Sequence, residues 1–216
     1  MNIQHAREQM IEQQIRAWEV LDARVLSVMS EVPREKFVPE QYQQLAFADT
    51  AIPLPQDQAM LTPNLEGRLL QALMVKPGDQ ALDIGTGSGF SSACLAALGA
   101  KVHSIDIHSE LTDRAAAIHA DLGITGVTLA TTDAAELQDS EKYDVIAVSG
   151  SVPQYEKRFA RALRIGGRLF LTVGTGPAME ALLITRTGAD AWVTESLFET
   201  FLPPLLNFSQ APEFKF

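Results

Sequence analysis

The chain has 216 residues, of which 46% are apolar and 20% are charged, and its formal net charge at pH 7 is -10. This size and composition predict one globular domain and exclude wholesale disorder. The negative charge argues against nucleic acid as a main partner, because phosphate binding needs a basic face, and against an anionic membrane surface.

The cysteine content and the N-terminal residues indicate the compartment. Cys94 is the only cysteine, so no intrachain disulfide can form, which fits a reducing environment. The first residues do not pair a basic region with an apolar run, and no stretch approaches the ~18 apolar residues of a membrane span. We therefore expect a cytoplasmic protein that is not bound to a membrane. As a separate expectation, the protein is a monomer or a weak dimer.

The first 63 residues are predicted to form helices and a long ordered segment. Apolar residues recur at intervals of three and four through residues 3–30, which predicts a helix, interrupted at residues 19–22. Asp22 is placed to cap a second helical piece. Residues 33–63 contain five prolines but keep several aromatic and aliphatic residues. A loop this long inside a compact chain usually has a function.

From residue 64 onward the pattern alternates between helix and strand. This rhythm predicts an α/β fold, namely a doubly wound, mostly parallel, seven-stranded Rossmann-like sheet with helices on both faces and an N-terminal helical extension. Helices are expected at residues 64–74, 91–98, 111–122 and 155–163. Strands are expected at residues 80–84, 101–106, 127–130, 143–148, 168–173, 180–185 and 192–201.

Residues 82–90 (LDIGTGSGF) carry the clearest motif in the chain. An apolar strand runs into Gly85, Gly87 and Gly89 and then into a helix. Glycine permits positive φ and close approach of a ligand to the backbone. The carboxyl end of the first strand is also where open α/β sheets bind ligands. The G-x-G-x-G spacing differs from the G-x-G-x-x-G of typical dinucleotide sites.

Two acidic residues follow at the ends of the next two strands. Asp106 lies about 20 residues beyond the glycines, where a carboxylate accepts hydrogen bonds from ribose hydroxyls. Asp133 follows the third strand and could accept a hydrogen bond from an adenine amino group. Each carboxylate alone is as readily a solvated surface group, but together with the glycines they favour a nucleoside site.

This combination resembles the class I S-adenosylmethionine-dependent methyltransferases. The resemblance implies S-adenosyl-L-methionine as the cofactor, with Asp83 helping to hold its methionine end, Asp106 at the ribose and Asp133 at the adenine. It implies a cofactor site formed by Asp83, Gly85, Thr86, Gly87, Gly89, Asp106, Ile107, Asp133 and Ala134.

Further segments are similar to the protein-L-isoaspartate O-methyltransferase family, up to about residue 185. They are residues 10–16 (MIEQQIR), 32–39 (VPREKFVP), 46–49 (AFAD), 76–79 (KPGD) and 148–153 (VSGSVP). The resemblance implies methylation of the isoaspartyl carboxylate of damaged proteins, so a protein or peptide bearing a carboxylate is the expected substrate. It also predicts that residues 1–63 supply a helical extension and an acceptor loop, packed as one structural unit on a cofactor-binding domain of residues 64–216.

The segment before Pro63 departs from that family's pattern. The family carries a glycine-rich stretch ending Gln-Thr-Ile-Ser before a proline, and its hydroxyls face the acceptor carboxylate. Here Gln58 is followed by Ala59 and Leu61 where the threonine and the serine are expected. Thr62 could supply one of these two hydroxyls only if the loop shifts by one residue. The change indicates either a more apolar acceptor pocket or neutral drift in a tolerant loop.

Other acceptor-side positions also differ. Pro55 and Asp57 replace glycines of the family, and Met179 stands where a later glutamine is expected. The candidates for contact with the acceptor are Thr62, Gln58 and Ser149, together with Asp57 and Ser151. Ser149 and Ser151 are expected in a turn after the fourth strand, for which a merely polar loop is the simpler alternative.

The chemistry needs no catalytic base, because a carboxylate acceptor is already ionised at neutral pH. The four histidines lack the spacing of a nucleophile–base pair or a metal cluster and are expected to be structural or exposed: His5, His103, His108 and His119. Alternatives are a family member with another carboxylate acceptor and a cofactor-binding protein without turnover. A nicotinamide-dependent dehydrogenase is a more distant alternative.

Overall fold

The computed structural model of the chain describes residues 2–208, and its N-terminal region folds as a broken helix followed by a second helix. Helix α1 (Ile3–Gln9) continues into a π-helical turn (Met10–Ile15) and a 3-10 turn (Arg16–Trp18). Glu19, with a φ of 61°, ends this segment. Asp22 accepts the backbone N–H of Arg24 at 2.8 Å and so caps helix α2 (Ala23–Glu31), which confirms the predicted break and cap.

The proline-rich segment is ordered and contains short elements. It consists of two 3-10 turns, Arg34–Lys36 and Glu40–Leu45, and a small antiparallel hairpin of β1 (Ile52–Pro53) and β2 (Ala59–Met60). Helix α3 (Pro63–Leu73) follows it. Gln56 and Asp57, in the turn of the hairpin, have φ values of 62° and 55°, a region that favours glycine. The two residues therefore adopt a glycine-like backbone in a loop where the family pattern has glycines.

The rest of the chain forms the predicted α/β unit. Its strands are β3 (Gln80–Ile84), β4 (Lys101–Asp106), β5 (Val127–Thr131), β6 (Tyr143–Val152), β7 (Leu163–Val173), β8 (Met179–Gly188) and β9 (Ala191–Thr200). Its helices are α4 (Phe90–Ala97), α5 (Ser109–Asp121) and α6 (Lys157–Ala162). The strand order is β5-β4-β3-β6-β7-β8-β9, with β8 antiparallel to both of its neighbours. The mostly parallel, seven-stranded sheet is thus confirmed.

The topology fixes where a ligand binds. After β3 the chain builds β4 and β5 on one side of that strand and then returns to place β6 on its other side. This reversal leaves a crevice at the carboxyl ends of the central strands, which is the usual ligand site of such sheets. The glycine turn opens directly into that crevice.

The predicted turn at residues 149–151 is wrong, because β6 continues through it to Val152. The backbone N–H of Ser151 donates to the Pro203 carbonyl at 2.9 Å, and the Leu205 N–H donates to the Ser151 carbonyl at 2.8 Å. The Ser151 hydroxyl donates to the Leu202 carbonyl at 3.0 Å. These partners lie about 50 residues away along the chain, so the local pattern of small polar residues could not reveal them.

Apolar cores lie on both faces of the sheet. One cluster joins the N-terminal region to the main sheet, since Met10 and Phe37 are buried in it together with Leu69 and Phe90. The other cluster packs α6 against the opposite face. The division of the chain at residue 63 stays a prediction. Within residues 2–208, no helix has the length and apolarity that crossing a bilayer requires.

Candidate functional site

The turn between β3 and α4 is shaped by glycine and tied to the next strand. Gly85, Gly87 and Gly89 have φ values of 89°, 52° and 84°, all in the left-handed region. The backbone N–H groups of Gly85 and Thr86 donate to the Ile105 carbonyl of β4 at 2.9 and 3.1 Å. The turn is therefore held at the edge of the sheet beside the end of β4.

The outer two glycines serve different purposes. Gly85 lines the cleft, and a Cβ there would approach only the Ser149 Cβ, at 3.5 Å. A Cβ on Gly89 would lie 2.8 Å from the Ala115 Cβ, so this glycine lets α4 pack against α5. The sequence assigned both to ligand approach, whereas the structure gives Gly89 a packing role.

Asp106 ends β4 at the rim of the cleft and is held in one orientation. Its Oδ2 accepts the Gly87 N–H at 3.0 Å, and its Oδ1 accepts the His108 N–H at 3.0 Å. The residue is 8% exposed. Each carboxylate oxygen has lone pairs for a further hydrogen bond. Asp106 can therefore accept two ribose hydroxyls without releasing the backbone groups that position it.

The cleft brings together residues from the ends of β3, β4 and β5, the acceptor loop and the C-terminal segment. Five of the predicted cofactor residues line it, with isoleucines that offer apolar contact to a purine. The sequence did not identify Thr132, His108 or the C-terminal residues as part of this cleft. The full lining is Gln58, Ile84, Gly85, Ile105, Asp106, Ile107, His108, Thr132, Asp133, Ala134, Pro204, Leu205, Leu206 and Phe208.

Asp133 lies just beyond β5, at the far end of the cleft. Its Oδ1 accepts the Ala135 N–H at 2.8 Å and so caps the 3-10 turn Ala134–Glu136. Its Oδ2 accepts the side-chain amide of Asn207 at 2.7 Å. The carboxylate is thus fixed at the position where the sequence predicted an adenine contact.

The side chains of Asp83 and Thr86 lie beneath the turn and do not line the cleft. Asp83 is fully buried, and its Oδ2 accepts the Ser104 hydroxyl at 2.7 Å. Thr86 Oγ1 lies 2.7 Å from the same Ser104 oxygen, so Thr86 donates to it. Asp83 Oδ1 has no hydrogen-bond partner within residues 2–208. Burial raises the pKa of Asp83 to about 8; the Ser104 hydrogen bond opposes this shift, and the nearby Glu66 and Asp106 add to it.

Arg34 links the acceptor loop to the glycine motif from inside the protein. It is fully buried, and it donates from Nε to the Ala46 carbonyl at 2.9 Å and from Nη2 to the Leu61 carbonyl at 2.5 Å. Its guanidinium lies 5.0 Å from the centre of the Phe90 ring, at the start of α4. Burial lowers the pKa of Arg34 to about 10, and the neighbouring Glu66 carboxylate opposes this shift.

A second cleft of about 470 Å³ lies beside the hairpin and the start of α3. Ala59 and Leu61 form part of its wall, so the positions where the family carries hydroxyls are apolar here. The cleft is lined by Trp18, Asp49, Ala51, Ala59, Met60, Leu61, Thr62, Asn64, Leu65, Thr200, Phe201, Leu202 and Pro203.

Thr62 lines this cleft, but its hydroxyl proton is already engaged. Its Oγ1 donates to Oδ1 of Asn64, and Asn64 Nδ2 donates to Asp49 Oδ2 at 3.2 Å. A hydroxyl has a single proton to donate. In this arrangement Thr62 therefore offers an acceptor carboxylate no hydrogen bond.

Three of the five candidates for acceptor contact, namely Gln58, Thr62 and Ser149, do not converge on one cleft. Gln58 lines the first cleft, where its side-chain amide donates to the Gln56 carbonyl at 3.1 Å. Thr62 lines the second cleft. Ser149 is half-buried within β6 beside Gly85, and its hydroxyl is unpaired in the part of the chain that the structure describes.

The histidines are mostly structural, as expected. His119 is 5% exposed, its Nε2 lies 2.8 Å from the Gly89 carbonyl, and burial lowers its pKa. His103 Nδ1 lies 3.1 Å from the Tyr143 hydroxyl. His108 differs, because it lines the first cleft. Across residues 2–208, no group of three or more acidic, histidine or cysteine side chains could hold a metal ion.

Comparisons with known proteins match the family that the sequence resembles. Residues 5–207 match the family model described as Protein-L-isoaspartate(D-aspartate) O-methyltransferase (PCMT). A protein-L-isoaspartate O-methyltransferase of Koribacter versatilis is 37% identical over 203 residues, covering 93% of this chain and 90% of that protein. Protein-L-isoaspartate O-methyltransferase 1 of Rhodopseudomonas palustris (strain HaA2) is 36% identical, covering 96% of this chain and 87% of that protein.

Solved structures confirm the fold. A protein-L-isoaspartate O-methyltransferase structure from Plasmodium falciparum, in complex with S-adenosyl-L-homocysteine, has a TM-score of 0.81 and 19% identity, covering 95% of this chain and 98% of that one. A second protein-L-isoaspartate O-methyltransferase structure has a TM-score of 0.78 and 21% identity, covering 92% of this chain and 65% of that one. By the family match over nearly its whole length, the chain belongs to the protein-L-isoaspartate(D-aspartate) O-methyltransferase family of S-adenosylmethionine-dependent enzymes.

Proposed function

We propose that this protein methylates the carboxylate of isoaspartyl residues in proteins or peptides, using S-adenosylmethionine. The observation that carries the proposal is the family match over residues 5–207, combined with a cleft at the carboxyl ends of the central strands. Gly85, Asp106 and Asp133 meet in that cleft from three separate strand ends.

The residues of the cleft fit the cofactor. Gly85 presents bare backbone, and Asp106 offers two oriented oxygens to a ribose. Ile105 and Ile107 supply apolar surface at the same strand end. When bound, S-adenosylmethionine supplies an activated methyl group on its sulfonium. Asp83 and Thr86 would act from below, by holding the turn in place.

The acceptor chemistry needs alignment more than acid–base catalysis. An isoaspartyl carboxylate is ionised at neutral pH, so no side chain has to remove a proton from it. The protein has to orient the oxygen and exclude water. Gln58 is the polar side chain of the acceptor loop that reaches the cofactor cleft, so we assign it the contact with the acceptor carboxylate.

The test is a methyl-transfer assay with labelled S-adenosylmethionine and two peptides that differ only in an isoaspartyl or an aspartyl residue. The expected product is a base-labile methyl ester on the isoaspartyl peptide and none on the aspartyl control. Transfer to neither peptide, by a protein that binds S-adenosylhomocysteine, would overturn the acceptor assignment and keep the cofactor assignment.

A second candidate is a family member that uses a different carboxylate, or that binds the cofactor without repairing isoaspartate. The apolar side chains of Ala59 and Leu61 in the second cleft, and the engaged proton of Thr62, favour it.

The double variant Ala59→Thr, Leu61→Ser separates the two candidates. We expect it to raise kcat/KM for the isoaspartyl peptide by about tenfold, the effect of one hydrogen bond to a charged group. The matched control is Ala51→Thr, which adds a hydroxyl to the same cleft on another element. An unchanged or lower kcat/KM would show that Ala59 and Leu61 do not limit use of this acceptor.

We also propose a cytoplasmic location and a monomeric or weakly dimeric state. The single cysteine, Cys94, is buried and suits a reducing compartment.

A further inference from the structure

Residues 204–206 and Phe208 line the cofactor cleft, and this segment is anchored to the sheet at one end. The Leu205 N–H donates to the Ser151 carbonyl at 2.8 Å, and the Ser151 N–H donates to the Pro203 carbonyl at 2.9 Å. A Cβ on Gly150 would lie 2.7 Å from Leu205 Cδ2, so the leucine packs against bare backbone of β6. Residue 205 is therefore a fixed point from which the following residues extend.

The distal end docks by two contacts beside Asp133. Asn207 has a φ of 64°, a left-handed conformation that asparagine tolerates. In this conformation its side-chain amide donates to Asp133 Oδ2 at 2.7 Å. The Phe208 ring lies 5.6 Å from the Phe159 ring and 5.7 Å from the Arg158 guanidinium.

The Asn207 contact reproduces the hydrogen bond expected from the cofactor. An amide NH₂ and the amino group of adenine are both neutral two-proton donors, and both would donate to the Asp133 carboxylate. The other oxygen, Asp133 Oδ1, is already bonded to the Ala135 N–H. Asn207 therefore donates to the oxygen that an adenine amino group would use. That oxygen keeps a second lone pair, so the two donors compete for the space beside Asp133 rather than for a saturated acceptor.

Space in the cleft leads to the same conclusion. The cleft is open to solvent, and the residues that line it, Phe208 and Leu206 among them, leave a free volume of about 50 Å³. That is room for a few water molecules, whereas small-molecule sites are typically about 300 Å³ or more. A bound nucleoside therefore needs more room than the cleft offers while Leu206 and Phe208 line it.

We propose that residues 206–208 form a strap that competes with adenine for Asp133 and must swing away, hinged at Leu205, before the cofactor binds. The proposal rests on the cofactor site described above. A protein that is closed for part of the time binds its ligand with an affinity reduced by the fraction that is open. Weakening the strap should therefore strengthen cofactor binding.

The test is calorimetric titration of S-adenosylhomocysteine into the wild type and two variants of the full chain. Asn207→Ala removes the competing donor, and Asn207→Asp places a like charge beside Asp133. We expect both variants to bind about threefold to tenfold more tightly than the wild type. The matched control is Gln154→Ala, an exposed amide in the loop after β6, which should bind like the wild type.

The outcomes separate the strap from the cofactor assignment. Equal or weaker binding by both variants, alongside good binding by the wild type, would overturn the strap alone and would make Asn207 neutral or a supporting part of the site. Failure of every protein, wild type included, to bind S-adenosylhomocysteine would overturn the strap together with the proposed function.

Discussion

At the scale of single residues, the cleft depends on carboxylates whose positions are fixed by the backbone. Asp106 accepts the N–H groups of Gly87 and His108, so its two oxygens cannot turn away from the rim. Such orientation before binding limits the entropy lost when a ligand binds. Asp106 was predictable from spacing because a strand, a turn and an acid follow one another along a short stretch of chain.

Asp106→Ala should weaken binding of S-adenosylhomocysteine by about 1–3 kcal/mol, because hydrogen bonds from two ribose hydroxyls to a charged group are lost. Titration calorimetry measures the change. Asp113→Ala, which removes an exposed carboxylate of α5, is the control and should bind normally. Unchanged affinity in Asp106→Ala would place the ribose elsewhere.

The buried carboxyl of Asp83 makes stability depend on pH. Its pKa is raised to about 8 from the ordinary 3.8, chiefly by burial. Between these values the folded protein keeps a proton that the unfolded chain releases, so the free energy of unfolding falls as pH rises from about 4 to about 8. Glu66 contributes in the same direction, since burial also raises its pKa.

Asp83→Asn should reduce that slope and raise the free energy of unfolding at pH 8 by about 1–3 kcal/mol, since an amide carries no buried charge. Urea unfolding at pH 5 and pH 8 checks both effects. The conservative Asp113→Asn, at an exposed position of α5, is the control. An unaltered slope in Asp83→Asn would mean that Asp83 titrates normally.

At the scale of elements, one glycine motif serves both ligand approach and helix packing. The sequence predicted the turn, because a strand, the glycines and a helix follow one another along the chain. It did not separate Gly85 from Gly89, because the neighbour of Gly89 is Ala115, on the next helix. The same limit explains why the extension of β6 was not predicted, since it depends on pairing with the distant residues 203–205.

Gly85→Ala and Gly89→Ala form a matched pair, since both glycines have a φ between 84° and 89°. Gly89→Ala should lower the free energy of unfolding further, by about 1–3 kcal/mol more than Gly85→Ala, because its Cβ would overlap Ala115. Gly85→Ala should instead weaken binding of S-adenosylhomocysteine more. Thermal unfolding and calorimetry on both variants give the comparison, and equal losses of stability would contradict the division of roles.

At the scale of the whole molecule, the hairpin loop and the C-terminal segment separate the cofactor cleft from the second cleft. Gln58 faces the cofactor cleft, and its neighbour Ala59 lines the second. Pro204 likewise lines the cofactor cleft, whereas its neighbour Pro203 lines the second cleft. The alternation of helices and strands predicted the parallel sheet. The arrangement of the clefts was not predictable, since residues far apart in sequence form each wall.

Buried contacts join the N-terminal region, the acceptor loop and the glycine motif. Arg34 bonds to the Ala46 and Leu61 carbonyls and lies over the Phe90 ring, so the N-terminal region, the acceptor loop and the glycine motif share one side chain. The sequence placed Arg34 in a family signature but offered no reason for it. Its reason is tertiary, namely a buried cation whose Nε and Nη2 donate to carbonyls of separate segments.

Parallel calorimetric titrations with S-adenosylhomocysteine and with NAD show whether the β3–α4 turn binds an S-adenosyl nucleoside. We predict saturable binding of S-adenosylhomocysteine at one site per chain and no measurable binding of NAD. Binding of NAD in preference to S-adenosylhomocysteine, or of neither compound, would contradict this prediction.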